Sequence, residues 1–575
     1  MTNQQIADIF SRIADLMEIL GQDRFRINSY RKAARVVGEH AVAMGQLAEE
    51  GRLEEVAGIG KSTAAKITQA LAEGKIDLHE ELMARIPPEL PGLLGIRGMG
   101  PKTVAKLWKQ AGVESVRQLR EAVASDPDRL AAVEGLGAKK IAQIAEAIDF
   151  MESARGRIRL DEAAELAGPL VELVAGIKSV QRVALAGSLR RGRETIGDVD
   201  ILCEAPKSAG SKITEQFAAA PQAASVLARG ATKCSILTAG EVEVDLRVVP
   251  RASFGAALQY FSGSKAHNVR LRELAVKAGL KLNEYGLFRG DERIAGASEE
   301  EIYAGLGLAP VPPELREDRG EVEAAAAGGL PRLVTLDRIR CDLHMHTTAS
   351  DGHNSIEEMI EACRSRGYHT MAICDHSKSQ IQANGLDERR LADHAEAIRA
   401  AGRGYDDIEV LAGVEVDIFK DGSLDFAADV LGELDFVTAS PHSALSKGAA
   451  GATKRLIRAI ESPHVHCIGH PSGRLIGKRG GMEIDVGELA AAAAANGVAL
   501  EVNAHPMRLD LRDTHIRAAI EAGARIIIST DAHRIDDLDL MHYGVTTARR
   551  GWATDDDVIN TLSPENLKAW LAARR

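Results

Sequence analysis

Apolar residues recur at steps of three and four through KSTAAKITQALAEG, PKTVAKLWKQAG and AKKIAQIAEAI, the spacing that lays one face of a helix against a core. Each stretch follows a Gly-hydrophobic-Gly core whose preceding position varies: Ala57-Gly58-Ile59-Gly60, Arg97-Gly98-Met99-Gly100 and Glu134-Gly135-Leu136-Gly137. Glycines let the chain turn tightly and expose amide N–H groups at a helix start, where a phosphate oxygen is held without side-chain charge. Three such units predict a DNA-backbone contact at Gly58, Gly60, Gly98, Gly100, Gly135 and Gly137 that reads no bases. The alternative is a set of capping glycines between packed helices. The segment 24–37, RFRINSYRKAARVV, adds a predicted amphipathic helix with a basic face.

Further along, the period changes to two. VALAG predicts a strand running into Gly187-Ser188-Leu189-Arg190-Arg191-Gly192, and GDVDIL predicts a second with Asp198 and Asp200 on one face and Val199 and Ile201 toward the core. EVEVDLRVV continues the pattern, with Glu241, Glu243 and Asp245 opposite Val242, Val244 and Leu246. Carboxylates gathered in this way repel unless cations lie between them, which points to a pair of Mg²⁺ ions at Asp198, Asp200 and Asp245. Ser188 and Arg191 then stand where a hydroxyl and a guanidinium would hold a triphosphate. Acids on an edge strand are the plainer alternative.

After residue 337 the pattern is strand then helix, repeated, and chemistry-bearing residues stand at the ends of short apolar runs. They are His344 and His346 in CDLHMH, His376 in CDHS, Glu415 in AGVEVD, His442 in SPHS, His470 in IGHP, and Asp531 and His533 in STDAH. In a barrel of parallel strands those ends converge on one face. Mixed imidazole and carboxylate donors suit Zn²⁺ or Mn²⁺ better than Mg²⁺ alone. His464, His466 and His505 fall outside the pattern and are expected to be structural or exposed.

Composition narrows the field. A chain of 575 residues with 45% hydrophobic and 27% charged content predicts several folded domains. Its six cysteines form no CxxC pair, MTNQQIADIF has no secretory pattern, and no apolar run is long enough to cross a bilayer; a cytoplasmic enzyme without a membrane partner is expected. A net charge of −12 means that any contact with nucleic acid must be local.

GSLRRGRETIGDVD resembles the nucleotidyltransferase signature of the DNA polymerase X family, the polymerase β-like enzymes. The resemblance runs from near Met1 to about Pro310. It implies that Asp198, Asp200 and Asp245 bind Mg²⁺ or Mn²⁺, and that Ser188 and Arg191 contact the triphosphate. It also places Tyr260, Phe261, Gly263, Asn268 and Arg272 around the incoming nucleotide, although Ser262 stands where the family usually has threonine. Lys66 falls at the family's Schiff-base lysine for 5′-deoxyribose-phosphate removal, but Phe25, Arg26 and Ser62 replace family residues around it, and a helix-surface lysine is the alternative.

The C-terminal pattern resembles the polymerase and histidinol phosphatase (PHP) superfamily, whose distorted seven-stranded βα barrels hold three metals. That resemblance implies ligand roles for His344, His346, Asp351, His376, Glu415, His442, His470, Asp531 and His533, with His353 as an alternative to Asp351. It groups His344, His346, Glu415 and Asp531 at one ion, His442 and His470 with a shared Glu415 at a second, and His376, His533 and Asp351 at a third.

The expected architecture is multidomain. Helix-hairpin-helix domains span 1–85 (lyase-like) and 86–155 (fingers-like), an α+β palm with thumb spans 156–310, a linker spans 311–337, and a (βα)7 PHP barrel spans 338–575. The expected function is gap-filling DNA synthesis from deoxynucleoside triphosphates on gapped or primed duplex DNA by a monomer, with a 3′-5′ exonuclease and abasic-site or 3′-end processing at the barrel. Two alternatives stand beside it: a barrel that is a small-molecule phosphatase, and a non-catalytic DNA-end scaffold.

Overall fold

The computed structural model describes the chain except residues 2, 39–43, 57, 97–98, 155, 446–448 and 575. It divides into two compact units, Met1–Arg155 and Gly156–Arg575.

The first unit is helical. Its helices bury one apolar stripe each, as Ala64, Ile67 and Ala70 do in Lys61–Glu73 and Val104, Leu107 and Ala111 do in Pro101–Ala111. The basic segment is the helix Arg24–Gly38, which turns Ile27, Ala33, Ala34 and Val37 inward. The G-h-G repeats share one turn: the amide of Ile59 donates to Val56 O, that of Met99 to Ile96 O and that of Leu136 to Val133 O. Gly60 and Gly100 are N-caps with extended backbone and no side-chain cap, so the amides of Lys61, Ser62 and Lys102 have no acceptor within their helices; Pro101, first in its helix, has no N–H. Gly58 and Gly135 take φ of +102° and +83°, a conformation that favours glycine. Gly137 precedes the helix Ala138–Ala154, and Gly98 lies outside the described residues.

The second unit holds a mixed five-stranded sheet, a three-stranded antiparallel sheet and a seven-stranded parallel sheet, besides a two-stranded ribbon. In the five-stranded sheet, Asp198–Glu204 pairs in parallel with Glu243–Val249, in a register that sets Asp198 beside Glu243 and Asp200 beside Asp245. The second strand starts at Glu243. Glu241 lies in the preceding turn at φ +59°, so it does not continue the carboxylate face that alternation predicts.

The seven parallel strands run in sequence order from Cys341–Met345 to Ile526–Ser529, and a bridge from Met345 to Ala532 brings the last strand back to the first. This is the near-closed barrel that the strand-helix alternation predicts, and the chemistry-bearing residues leave its strands at one end.

Residues 311–337, read as a linker from their composition, are folded instead. They contain the helix Glu321–Ala327, and Val311, Leu315, Val322, Ala325 and Leu333 enter the core that includes Leu287, Ile302 and Tyr303. Glu321 is buried, accepts from the Asp318 and Arg319 amides at 2.8 and 2.6 Å, and pairs with His267 at 2.6 Å. Alanine and glycine gave the segment a linker's composition while its few large apolar residues fell at core spacing. The palm also packs on the barrel: Ile476, Leu509 and Tyr543 join the core of Val199, Ile201 and Leu246, and Arg474 pairs with Glu194 at 2.7 Å.

Candidate functional site

In the palm, the strand Arg182–Leu185 delivers the chain to the short helix Gly187–Arg190. Gly187 has φ +63°, and a Cβ there would stand 2.3 Å from Asp200 Oδ2; only glycine lets the turn approach the carboxylate this closely. A cleft of about 720 Å³ opens here, lined by Gly187, Ser188, Arg191, Asp198, Asp200, Tyr260, Phe261, Gly263, Asn268 and Arg272. Asp245 adjoins Asp200 through the sheet register and is held by Lys233 at 2.8 Å and by the Ser235 hydroxyl. Burial, and then the Asp198 and Asp245 carboxylates, push the Asp200 carboxyl up to about 7. Ser188 Oγ is buried without a partner. An unpaired hydroxyl beside crowded carboxylates fits a site built for a cation and a phosphate.

Other predicted cleft residues serve partly to hold its wall. Asn268 donates to Tyr260 O at 2.7 Å and accepts from Gln259 at 2.7 Å, so its amide is occupied. The Tyr260 and Phe261 rings meet edge-on at 5.2 Å, and Arg247 stacks over Phe261 at 4.2 Å. In the first unit, Lys66 is half-buried and donates to Ser62 Oγ at 3.0 Å, with its ammonium 5.9 Å from the Tyr30 ring centre.

At the barrel rim, three groups among the described residues each bring one donor atom per residue within 4.8 Å of one another: His346, Asp351, His376 and His533; His344, His346 and Asp531; His376, Glu415 and His442. His470 reaches Glu415 at 2.9 Å. His346 falls in two of these groups, His376 lies near Glu415 and His442 as well as near Asp351 and His533, and Glu415 stands 3.6 and 3.8 Å from His344 and His346. Asp351 faces His376 and His533 at 3.6 and 3.4 Å, whereas His353 is exposed.

Several of these atoms are buried and unsatisfied, among them His344 Nε2, His346 Nδ1, His470 Nδ1 and Glu415 Oε2. His376 Nδ1 and Glu415 Oε2 stand 2.7 Å apart without the alignment of a hydrogen bond. Protonation is pulled in opposite directions across the cluster. Burial, then neighbouring His533 and His376, push His346 down to about 4; at His442 burial is outweighed by Glu415 and Asp417, which raise it to about 9. Orphaned lone pairs and mismatched charges at this density cost several kcal/mol unless a cation is shared among them, and the residues therefore fit a polynuclear metal centre.

Two orienting carboxylates escaped the motif reading. Glu501 binds His344 Nδ1 at 2.7 Å and accepts from the His470 amide at 2.5 Å, and Asp417 binds His442 Nδ1 at 2.5 Å. Such partners fix the tautomer and the ring plane of a metal-binding histidine. The signal was present: Glu501 is an acid inside the apolar strand Ala499–Asn503, and Asp417 follows Glu415 at a spacing of two.

Family models match along the chain. A helix-hairpin-helix domain covers residues 1–76, a SAM-like helix-hairpin-helix tandem 91–149, a DNA polymerase beta thumb 257–317 and a PHP domain 342–505. The chain is also 38% identical over 575 residues to the DNA polymerase/3′-5′ exonuclease PolX of Bacillus subtilis, with 99% of each chain covered. It belongs to the PolX family. Part of this PolX-family chain has further relatives. A probable phosphatase of Shewanella sediminis is 28% identical over 40% of this chain and 94% of its own length, and one of Shewanella sp. MR-4 is 29% identical over 33% and 75%. No helix among the described residues is long and apolar enough to cross a membrane.

Proposed function

We propose that this PolX-family chain fills short gaps in duplex DNA by template-directed nucleotidyl transfer at the palm cleft, and trims DNA 3′ ends by hydrolysis at the barrel rim. The observation that carries the reading is the coexistence, at separate places in the fold, of an unpartnered Ser188 hydroxyl beside the crowded Asp198 and Asp200 carboxylates and a set of unsatisfied imidazole and carboxylate atoms around Glu415. Mg²⁺ or Mn²⁺ at Asp198, Asp200 and Asp245, and an Mn²⁺ or Zn²⁺ cluster of three ions at the rim, would supply charge neutralisation at the reacting phosphoryl groups.

The chain's own residues do the rest. Ser188 and Arg191 bind the triphosphate of the incoming nucleotide, and the Tyr260-Phe261 backbone crowds a ribose 2′-hydroxyl. At the rim, Glu501 and Asp417 keep His344 and His442 turned toward the cluster. The uncapped amides after Gly60 and Gly100 bind the DNA backbone irrespective of sequence. Lys66 is the candidate for removal of a 5′-deoxyribose phosphate.

The likeness to probable phosphatases supports a second reading, in which the barrel hydrolyses small phosphomonoesters. A gapped duplex with a labelled primer, given Mn²⁺ with and without deoxynucleoside triphosphates, separates the two. Our reading predicts extension when nucleotides are present and shortening from the 3′ end when they are absent. Phosphate release from a free sugar phosphate without primer shortening would favour the second reading.

A further inference from the structure

A barrel residue stands behind the wall of the palm cleft, in contact with two residues that line it. Arg191, which lines the cleft, donates from Nε to Glu317 Oε1 at 3.1 Å and from Nη1 to Ser262 O, and these two bonds fix the plane of its guanidinium. Glu317 also lines the cleft, where an unmatched carboxylate would repel a triphosphate. Its second close cation is Arg550, at 3.0 Å; Arg193 stands farther off at 3.8 Å. Arg550 is buried at the end of the helix Met541–Arg550, which follows the barrel strand whose end carries Asp531 and His533. Its guanidinium is held by Asp513 at 2.7 Å and donates to the carbonyl of Arg191 itself at 2.7 Å. The same helix meets the palm turn at Gly192, where φ is +64° and a Cβ would stand 2.2 Å from Thr546 Cγ2.

We infer that Arg550 and Glu317 are positioning residues for nucleotide binding: Arg550, carried by the PHP barrel, neutralises Glu317 and holds it so that Glu317 and the Arg191 backbone present the Arg191 guanidinium to the triphosphate. The inference rests on the polymerase reading above. Removing Arg550 leaves the Glu317 carboxylate in the cleft wall with one fewer counter-charge, and removing both charges relieves that repulsion. A simple packing role for Arg550 predicts no such rescue.

The test is single-nucleotide incorporation on a gapped duplex by the full chain, with KM for the nucleotide and kcat measured separately, alongside 3′-end shortening by the same preparations. Arg550→Gln is expected to raise the nucleotide KM roughly 10-fold, with kcat within about 3-fold and shortening unchanged. Glu317→Gln added to Arg550→Gln is expected to bring KM back to within about 3-fold of wild type. Asp513→Asn, which weakens the hold on Arg550 from outside the cleft, is expected to raise KM about 3-fold, and it carries the test if Arg550→Gln does not fold. Unchanged KM in a folded Arg550→Gln protein, a double variant worse than the single, or a parallel fall of kcat and shortening would each overturn the inference. Absence of incorporation by wild type would instead remove the polymerase reading beneath it.

Discussion

Replacing Asp200 by asparagine keeps its size and removes the charge that the metal-free palm tolerates least. Asp200 is pushed from an ordinary value of 3.8 up to about 7, by burial and then by Asp198 and Asp245. Because the folded-state value lies above the unfolded one, the folded protein binds the proton more tightly. The cost of ionisation is therefore absent below about pH 4, grows toward pH 7 and is complete above it. At about 1.4 kcal/mol per pH unit the ceiling is about 4 kcal/mol, and water entry and local relaxation reduce it to about 1–3 kcal/mol. With an unfolding entropy of roughly 0.9 kcal/mol per degree for a unit of this size, Asp200→Asn should raise Tm by about 1–3 °C in chelator at pH 8. The gain should vanish near pH 4. Added Mg²⁺ should then stabilise wild type more than the variant, which narrows or reverses the difference between them. Thermal melts at pH 4, 6 and 8, with chelator and with Mg²⁺, measure all of this. A variant less stable than wild type in chelator at pH 8, or a difference independent of pH, would refute the claim that these carboxylates are held together against their repulsion.

Further outcomes follow from the same geometry. Gly187→Ala should lose nucleotide incorporation and about 1–3 kcal/mol of stability, read by gap filling and by melts, because its Cβ would stand 2.3 Å from Asp200 Oδ2 at φ +63°. Glu501→Gln should weaken Mn²⁺ or Zn²⁺ binding about 10- to 100-fold in metal titrations, since Glu501 orients His344. Borohydride should trap a covalent adduct between wild type and a 5′-deoxyribose-phosphate gap, and Lys66→Ala should abolish it; equal trapping by both would exclude Lys66 as the nucleophile.

Much of this site was legible because its chemistry sits in short, local patterns. Alternation alone set Asp198 and Asp200 on one face, and the G-h-G repeats announced the turns that start the helices at Lys61 and Pro101. The parallel barrel was legible because the rim residues other than Asp351 stand in or just after short apolar runs. What stayed hidden depends on distant contacts. Glu501 and Asp417 earn their roles only through His344 and His442, far away in sequence. The Arg550–Glu317–Arg191 link joins residues that no local pattern relates. The helix Glu321–Ala327 was missed because alanine-rich composition is shared by flexible linkers and by helices, and only burial against the thumb core tells them apart.

The central claim is that synthesis and hydrolysis belong to different sites of one chain, and a crossed pair of variants tests it most directly. On a labelled gapped duplex with Mn²⁺, Asp200→Ala should lose extension and keep 3′-end shortening, while Glu415→Ala should lose shortening and keep extension. Shortening that persists in folded Glu415→Ala but disappears in Asp200→Ala would contradict the account.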